Sequence, residues 1–208
     1  MEPFTRITGI VAPLDRTNVD TDSIVPARYL KRIERTGWGE TLFYDWRYGP
    51  DGEPDPDFVL NQAGYENAKV LVAGRNFGSG SSREHAVWAL RQYGIRAVIS
   101  PGFADIFHKN CFENGLVPVI VSEEKARELI RIAKEGPACQ LTVDLERCEI
   151  YDDRGFRSSF VIHDDPDTHE FRRHCLLEGL DDIDLTLQHE DDIAAFEAER
   201  PRWLEPAR

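Results

Sequence analysis

Residues 69–94 read KVLVAGRNFGSGSSREHAVWALRQYG, and this stretch decides the fold. Its first five residues predict a short buried strand, its middle is rich in glycine and serine, and residues 81–93 predict a helix that Gly94 ends. The same alternation continues downstream, with strands and helices predicted over 95–100, 103–113, 116–121 and 123–134, the last helix capped by Ser122. Wholly apolar strands separated by helices are typical of a parallel sheet with helices packed over it.

Further elements flank this unit on both sides. Residues 4–14 predict a strand, which leads through a polar turn over 15–22 into a short helix near 26–33. After Gly136 the hydrophobic period changes to two, which predicts antiparallel strands over 141–145, 148–151 and 158–162, with a hairpin turn at 152–155. We therefore expect one α/β domain over residues 1–208, in which mixed parallel and antiparallel strands are covered by helices.

Two helices are predicted in the C-terminal part of the chain. Asp167, with Glu170 three residues on, has the spacing of a capping box and predicts the start of a helix that Gly179 ends. A last amphipathic helix over 189–199 stops before Pro201. We expect these helices to form an acidic extension of the domain.

Charge is distributed unevenly along the chain. The 25 Lys and Arg residues face 38 Asp and Glu residues, a net charge of −13, of which residues 1–143 contribute −2 and residues 144–208 contribute −11. No basic run is longer than two residues, which excludes a face that neutralises nucleic-acid phosphates. We assign the acidic excess to solubility or partner docking rather than to chemistry.

Other features exclude further classes of protein. The longest apolar stretches, such as residues 116–121, fall far short of the ~20 residues that a bilayer requires, and residues 1–4 do not resemble a targeting segment. We therefore expect a cytoplasmic protein. The cysteines at 111, 139, 148 and 175 form no CxxC pair and predict reduced thiols, and the spacing of His163, His169 and His174 predicts no metal site.

The glycine-rich loop is the strongest candidate for chemistry. Gly78 and Gly80 permit a close approach of the backbone, so that Ser81, Ser82 and Arg83 lie at a helix N-terminus, where an anion is favoured. Nucleotide phosphate binding fits poorly, because Arg83 stands where a dinucleotide fingerprint needs its third glycine. A purely structural glycine turn and a small-carboxylate site with Arg83 as a bidentate clamp remain as alternatives.

Three motifs in one order carry a resemblance to a known family. They are GSGSSREHA at 78–86, DRTNVDTDSIVP at 15–26 and FADIFHKN at 103–110. Together they resemble the swivelling domain of the aconitase family, in the form that bacteria encode as a separate small subunit, and the likeness runs from Phe4 to about residue 192. The resemblance implies a β/β/α swivelling domain that closes over a 4Fe–4S cluster held by a large subunit, with no metal bound by this chain.

The resemblance also implies a reaction and a set of partners. The enzymes of this family are hydro-lyases that isomerise a hydroxy acid by removing water and adding it back on the neighbouring carbon, and here the resemblance implies that 2-isopropylmalate, a hydroxy-dicarboxylate, would become 3-isopropylmalate in leucine biosynthesis. We expect a heterodimer with the cluster-bearing large subunit. The alternatives are a related dehydratase acting on homoaconitate, citraconate or a methylated malate, and a non-catalytic anion-binding module.

By position in the family motifs, Ser81 is the expected base and Arg83 the residue that holds a substrate carboxylate. A serine hydroxyl is a weak base unless its alkoxide is stabilised, and helix N-terminal amides with the Arg83 guanidinium supply that stabilisation. Ser82 and the backbone at Gly80 are expected to assist in binding substrate. Asp22 is the expected supporting carboxylate, the alternative being an Asx turn or a helix cap.

Further candidates lie near these motifs. Lys31 is the candidate for a second substrate carboxylate. Residues 34–47 interleave glycines with aromatic side chains and correspond to the region that sets substrate choice in the family, although these aromatics would equally pack beneath the Pro-rich loop at 49–57. His85 is expected to be a structural hydrogen-bonder rather than a base.

Overall fold

A computed structural model describes residues 1–199. Its centre is one seven-stranded sheet with the order β4-β3-β2-β1-β5-β6-β7. The strands are β1 (Arg6–Leu14), β2 (Val70–Ala73), β3 (Ala97–Ser100), β4 (Val117–Ile120), β5 (Gln140–Asp144), β6 (Glu149–Tyr151) and β7 (Arg157–Ser159). Strands β1 to β4 are parallel and β5 to β7 are antiparallel, which confirms the mixed α/β sheet expected from the sequence.

Eight α-helices lie within the described residues. They are α1 (Thr21–Ile24), α2 (Tyr44–Arg47), α3 (Glu84–Tyr93), α4 (Asp105–Glu113), α5 (Glu123–Glu135), α6 (Pro166–Glu178), α7 (Asp182–Leu187) and α8 (Glu190–Glu199). Three short 3₁₀ helices occupy Ala27–Lys31, Trp38–Thr41 and Val59–Asn61. None of the helices described is long and apolar enough to cross a membrane.

The sheet separates two hydrophobic cores. Successive strand residues point to opposite faces, so Leu71 belongs to one core while its neighbours Val70 and Val72 belong to the other. Helices α3 and α4 pack mainly on the first face, and α5 covers the second with Leu129 and Ala133 fully buried. Burial on both faces explains why β2 is wholly apolar and why β3 is apolar up to Ser100, whose buried hydroxyl donates to the Gly74 and Gly102 carbonyls.

Several local signals act as the sequence predicts. The Ser122 hydroxyl accepts a hydrogen bond from the Lys125 N–H and caps α5, while Gly94 and Gly179 end α3 and α6 in the left-handed conformation. Gly155, at φ +107°, makes the hairpin between β6 and β7. These four residues fix where elements stop and start.

Other expected boundaries are wrong. Helix α6 is capped by Asp165, whose carboxylate accepts from the Thr168 N–H, so Asp167 lies inside the helix rather than opening it. Pro166 explains the shift, because proline is well suited to the first helical position. A capping box does occur later, between Asp181 and Asp184 at the start of α7, a helix that the sequence did not predict.

The region between the first strand and the site also differs from expectation. Helix α1 begins at Thr21, inside the polar turn predicted through residue 22, and the helix predicted near 26–33 is a 3₁₀ segment, Ala27–Lys31. A four-residue helix is too short to show a hydrophobic period, so no pattern in the sequence predicts α1. The predicted last helix is observed to Glu199, whereas its stop at Pro201 lies outside the described residues.

Candidate active site

The register of the sheet brings two of the three sequence motifs together. Strands β1 and β2 are parallel neighbours, with Leu14 opposite Ala73 at their carboxyl ends. The segment after β1, residues 15–22, therefore leaves the sheet beside the glycine loop after β2, residues 74–83. Crevices at the carboxyl ends of parallel strands are the usual place for ligand sites in α/β sheets.

Backbone hydrogen bonds join these two segments. The Gly78 N–H donates to the Val19 carbonyl at 2.7 Å, and the Thr21 N–H donates to the Ser79 carbonyl at 2.8 Å. Asp20 and Ser79 form an isolated parallel bridge. The glycine loop is thus held as a short extension of the sheet rather than as a free loop.

Gly78 sets the path of the loop. It adopts φ +79°, and a methyl group on its Cα would lie 2.1 Å from Cγ of Phe107. Phe107 belongs to α4, within the third motif, and its ring lies 5.3 Å from that of Phe77. The third motif therefore acts here as an aromatic support beneath the glycine loop.

The Ser-Ser-Arg sequence lies just before α3. The helix starts at Glu84 with Arg83 at its N-cap, not at Ser81 as predicted, because Arg83 has extended dihedral angles. Ser81 and Ser82 are both exposed to solvent. Two hydroxyls and a guanidinium are thus presented next to the free N–H groups of a ten-residue helix.

Asp22 is the partner of Arg83. Its carboxylate accepts a hydrogen bond from Arg83 Nη1 at 2.5 Å, with the Arg83 side chain 14% exposed and that of Asp22 55% exposed. The helix-cap alternative for Asp22 is wrong, since Asp20 caps α1 by accepting from the Ser23 N–H. An ion pair this exposed contributes only about 0.2–1 kcal/mol, so its main effect is to orient the guanidinium.

Thr21, between those two aspartates, contacts the loop with its side chain. It is 1% exposed, and its hydroxyl donates to the Ser81 carbonyl at 2.9 Å. Thr21 was not among the residues expected at the site. The only signal was its position inside the Asp-Thr-Asp motif, because a contact between residues 60 positions apart leaves no local pattern.

Lys31 is not brought into this cluster. It is the exposed last residue of the 3₁₀ helix Ala27–Lys31. In the described part of the chain, no hydrogen bond or ion pair joins it to Asp22 or Arg83. The guanidinium that lies nearest to it in sequence, Arg32, sits over the ring of Tyr29 instead.

The aromatic residues of 34–47 pack inward. Trp38 and Phe43 are fully buried in the first core, and the ring of Trp46 stacks on Phe43 at an interplanar angle of 8°. Phe58, which follows the Pro-rich loop, tilts against Phe43 at 5.8 Å. The packing alternative therefore describes Trp38 and Phe43, which are closed to a ligand, whereas Trp46 packs against the same core and stays partly exposed.

His85 lies on the first turn of α3 and faces aromatic rings. Its ring centroid is 4.6 Å from that of Trp38 and 4.8 Å from that of Trp88. Burial lowers the pKa of His85, which favours the neutral ring. These contacts fit a structural role through ring packing, whereas the sequence predicted a structural role through hydrogen bonding.

The cysteines are free and do not gather. They lie in α4, before β5, between β5 and β6, and in α6, and burial raises the pKa of Cys111 well above its usual value. Burial raises the pKa of the other three thiols as well. Within residues 1–199, no group of three or more His, Cys, Asp or Glu side chains is arranged to hold a metal ion.

The histidines of the C-terminal part have structural contacts. His169 accepts a hydrogen bond at Nδ1 from the Ile162 N–H, while His108 Nε2 lies 2.7 Å from the Ile162 carbonyl. His163 accepts from the Asp165 N–H and stacks on His108. The two backbone groups of Ile162 are thus satisfied by two imidazoles.

Comparison with known proteins defines the class first. Residues 1–124 match the family model for the aconitase C-terminal domain, and residues 182–204 match that for the C-terminal domain of the 3-isopropylmalate dehydratase small subunit. The chain is therefore a swivelling domain of the aconitase type. A solved structure described as 3-isopropylmalate dehydratase from Methanocaldococcus jannaschii has a TM-score of 0.63 and 26% identity, covering 92% of this chain and 99% of its own.

Curated relatives then show which family of aconitase-type proteins the chain belongs to. The 3-isopropylmalate dehydratase small subunit of Brevibacillus brevis is 54% identical over 200 residues, covering 96% of this chain and 100% of the relative. That of Rhodopirellula baltica is 56% identical over 201 residues, with the same coverage. The chain belongs to the family of 3-isopropylmalate dehydratase small subunits, whose enzyme is a hydro-lyase of leucine biosynthesis. The family and reaction class predicted from the sequence are confirmed.

Proposed function

We propose that this chain is the substrate-clamping and proton-transferring half of a cytoplasmic 3-isopropylmalate dehydratase, acting as a heterodimer with a separate large subunit. The observation that carries the proposal is the Arg83–Asp22 pair beside two exposed serine hydroxyls on a loop fastened to the sheet. The identity to small subunits over 96% of the chain supports the same partner arrangement.

Arg83 is assigned to a carboxylate of the hydroxy-dicarboxylate substrate. Its Nη1 is bound by Asp22, so the remaining donors of the planar guanidinium are held in a defined direction. Ser82 and the backbone at Gly80 are assigned as neighbouring contacts to the same substrate. Lys31 is assigned to the second carboxylate, which requires that substrate bridge from the loop to the 3₁₀ helix after α1.

Ser81 is assigned as the base. As an alkoxide, its Oγ takes the proton from the carbon next to a carboxylate, the hydroxyl leaves the neighbouring carbon, and a double bond forms with overall loss of one water. Rehydration in the opposite sense adds the proton to the carbon that lost the hydroxyl and the hydroxyl to the carbon that lost the proton. The helix N-terminus and Arg83 favour the anionic form of Ser81.

The residues of this chain do not fit the iron–sulfur cluster that the family implies. Cluster ligands are thiolates that converge on one point, whereas these four thiols occupy separate elements, and burial disfavours their charged form. We assign the 4Fe–4S cluster to the large subunit and derive no step through it.

Reconstitution tests the proposal. The chain alone is expected to be inactive, whereas its mixture with the cluster-loaded partner converts 2-isopropylmalate to the unsaturated acid, followed by ultraviolet absorbance. A panel with homoaconitate, citraconate and methylated malate decides the substrate. Turnover of one of these in preference to isopropylmalate overturns the substrate assignment, and a pair that forms but turns over none of them overturns the catalytic role.

A further inference from the structure

We infer that Thr21 is a positioning residue for Ser81, holding the backbone of the proposed base through a buried hydroxyl. The inference rests on the proposed function in assigning proton transfer to Ser81. It concerns a residue that bonds to the backbone of Ser81 rather than to its side chain, and it follows from the contacts between the first two motifs.

Thr21 holds the loop at two points on either side of Gly80. Its N–H donates to the Ser79 carbonyl at 2.8 Å, and its hydroxyl donates to the Ser81 carbonyl at 2.9 Å. Gly80 lies between these bonds at φ +91°, with Thr21 Oγ1 3.5 Å from where its Cβ would be. The residue that joins the loop to Ser81 is therefore the one with the most backbone freedom, and Thr21 restrains it.

The burial of Thr21 gives this bond a large effect. Thr21 is 1% exposed, so its hydroxyl has no access to water and is committed to the Ser81 carbonyl. Without it the Ser81 carbonyl loses this partner, and the Gly80 backbone is restrained only on its Ser79 side. The hydroxyl of Ser81 then samples many directions, although few of them suit proton transfer.

Two adjacent residues of helix α1 have different roles in the site. Thr21 fixes the backbone at Ser81, whereas Asp22 fixes the guanidinium of Arg83. Loss of the Thr21 hydroxyl leaves the Asp22–Arg83 pair in place, so substrate capture is retained while proton transfer slows. A defect in kcat with little change in KM separates positioning from a general loss of structure.

The test compares variants in the reconstituted enzyme. Thr21→Val keeps the shape and removes the hydroxyl, and we expect kcat to fall about ten-fold with KM changed less than about two-fold, as for one lost hydrogen bond. Thr21→Ser restores the hydroxyl and is expected to recover most of the rate. Thr142→Val is the matched control, because Thr142 is also buried and its hydroxyl pairs with that of Thr8, on the antiparallel side of the sheet.

Hydrogen exchange of peptides spanning residues 74–86 gives a second readout in the free chain. Exchange is expected to be faster in Thr21→Val than in Thr21→Ser or Thr142→Val. If Thr21→Val does not fold, the pair Thr21→Ala and Thr21→Ser, which differ only in the hydroxyl, makes the same comparison.

Three results overturn the inference: an unchanged kcat in Thr21→Val, no recovery in Thr21→Ser, or an equal loss in Thr142→Val. Ser81→Ala separates this outcome from failure of the proposed function. If Ser81→Ala is inactive and Thr21→Val is fully active, the positioning role of Thr21 is refuted and the proposed function stands. If Ser81→Ala is active, the assignment of the base is refuted.

Discussion

Arg83 Nη1 donates to Asp22 Oδ1 at 2.5 Å, across 61 positions of the chain. The two side chains come from segments that follow neighbouring parallel strands, and neither side chain caps a helix. The arginine side chain is mostly buried and the aspartate half exposed, so the guanidinium is held in one direction with only a small part of it open to solvent.

Replacing the guanidinium tests the clamp. Arg83→Lys keeps the charge but loses the planar fork, and we expect KM for isopropylmalate to rise about ten-fold or more, measured by steady-state kinetics of the reconstituted pair. Arg127→Lys, on the exposed face of α5, is the control and leaves KM unchanged. An unaltered KM in Arg83→Lys contradicts the clamp.

Removing the proposed base tests the chemistry. Ser81→Ala is expected to lower kcat by at least about 100-fold while the subunits still associate, because general base catalysis contributes about 10²–10⁴-fold. Association is measured by size-exclusion chromatography and turnover by absorbance. Ser159→Ala, on the edge strand β7, is the control. Turnover within a few-fold of normal would remove Ser81 as base.

Alanine substitutions at two glycines with similar φ values distinguish a steric clash from backbone strain. Gly52, at φ +82°, has open space around it, whereas Gly78, at φ +79°, faces Phe107. Gly52→Ala is expected to cost about 1–2 kcal/mol of unfolding free energy from strain. Gly78→Ala is expected to cost the same strain and a further amount of about 1–3 kcal/mol from overpacking. Chemical denaturation measures the free energy of unfolding of both variants. Equal losses would contradict the steric clash and show that Phe107 moves aside without cost.

Acid is expected to destabilise the chain through two partly buried histidines, His108 and His169. Burial lowers the pKa of His108 and of His169 in the folded protein, so the unfolded chain binds protons more readily. Their contribution to stability is complete above the unfolded value of about 6.5 and is lost as pH falls below it. Protonation of His169 also removes the acceptor of the Ile162 N–H.

The free energy of unfolding, measured by denaturant titration between about pH 7.5 and 5.0, on either side of the unfolded histidine pKa, checks this dependence. His169→Gln is expected to flatten the decline, whereas His189→Gln, a change at a ring that is 69% exposed, leaves it intact. A decline that is as steep in His169→Gln as in the unchanged chain would contradict the role given to His169.

The sequence predicted the architecture better than the local boundaries. A wholly apolar strand such as β2 has few alternatives, because burial on both faces favours an apolar residue at every position. Helix starts were less predictable, since serine and aspartate are numerous here and several positions satisfy the capping rules. Asp165 rather than Asp167 caps α6 for that reason, and Arg83 rather than a serine occupies the N-cap of α3.

For the candidate site, the motifs identified residue types but not their partners. Nothing local in the sequence distinguishes Asp20, which caps a helix, from Asp22, which binds Arg83. That distinction depends on the register between β1 and β2. The sequence also did not show whether Trp38 and Phe43 are buried, because their burial depends on a tertiary contact, the packing of α3 beside them.

The pairing of Leu14 with Ala73 also sets an order of events during synthesis. Asp22 leaves the ribosome long before Arg83, and until β2 has been added the first strand has no parallel neighbour on that side. Contacts so distant in sequence close slowly, because the intervening chain must first give up its entropy. The site is therefore absent from every shorter nascent chain. A truncated product that lacks β2 contains Asp22 but not Arg83, and we expect it not to bind substrate.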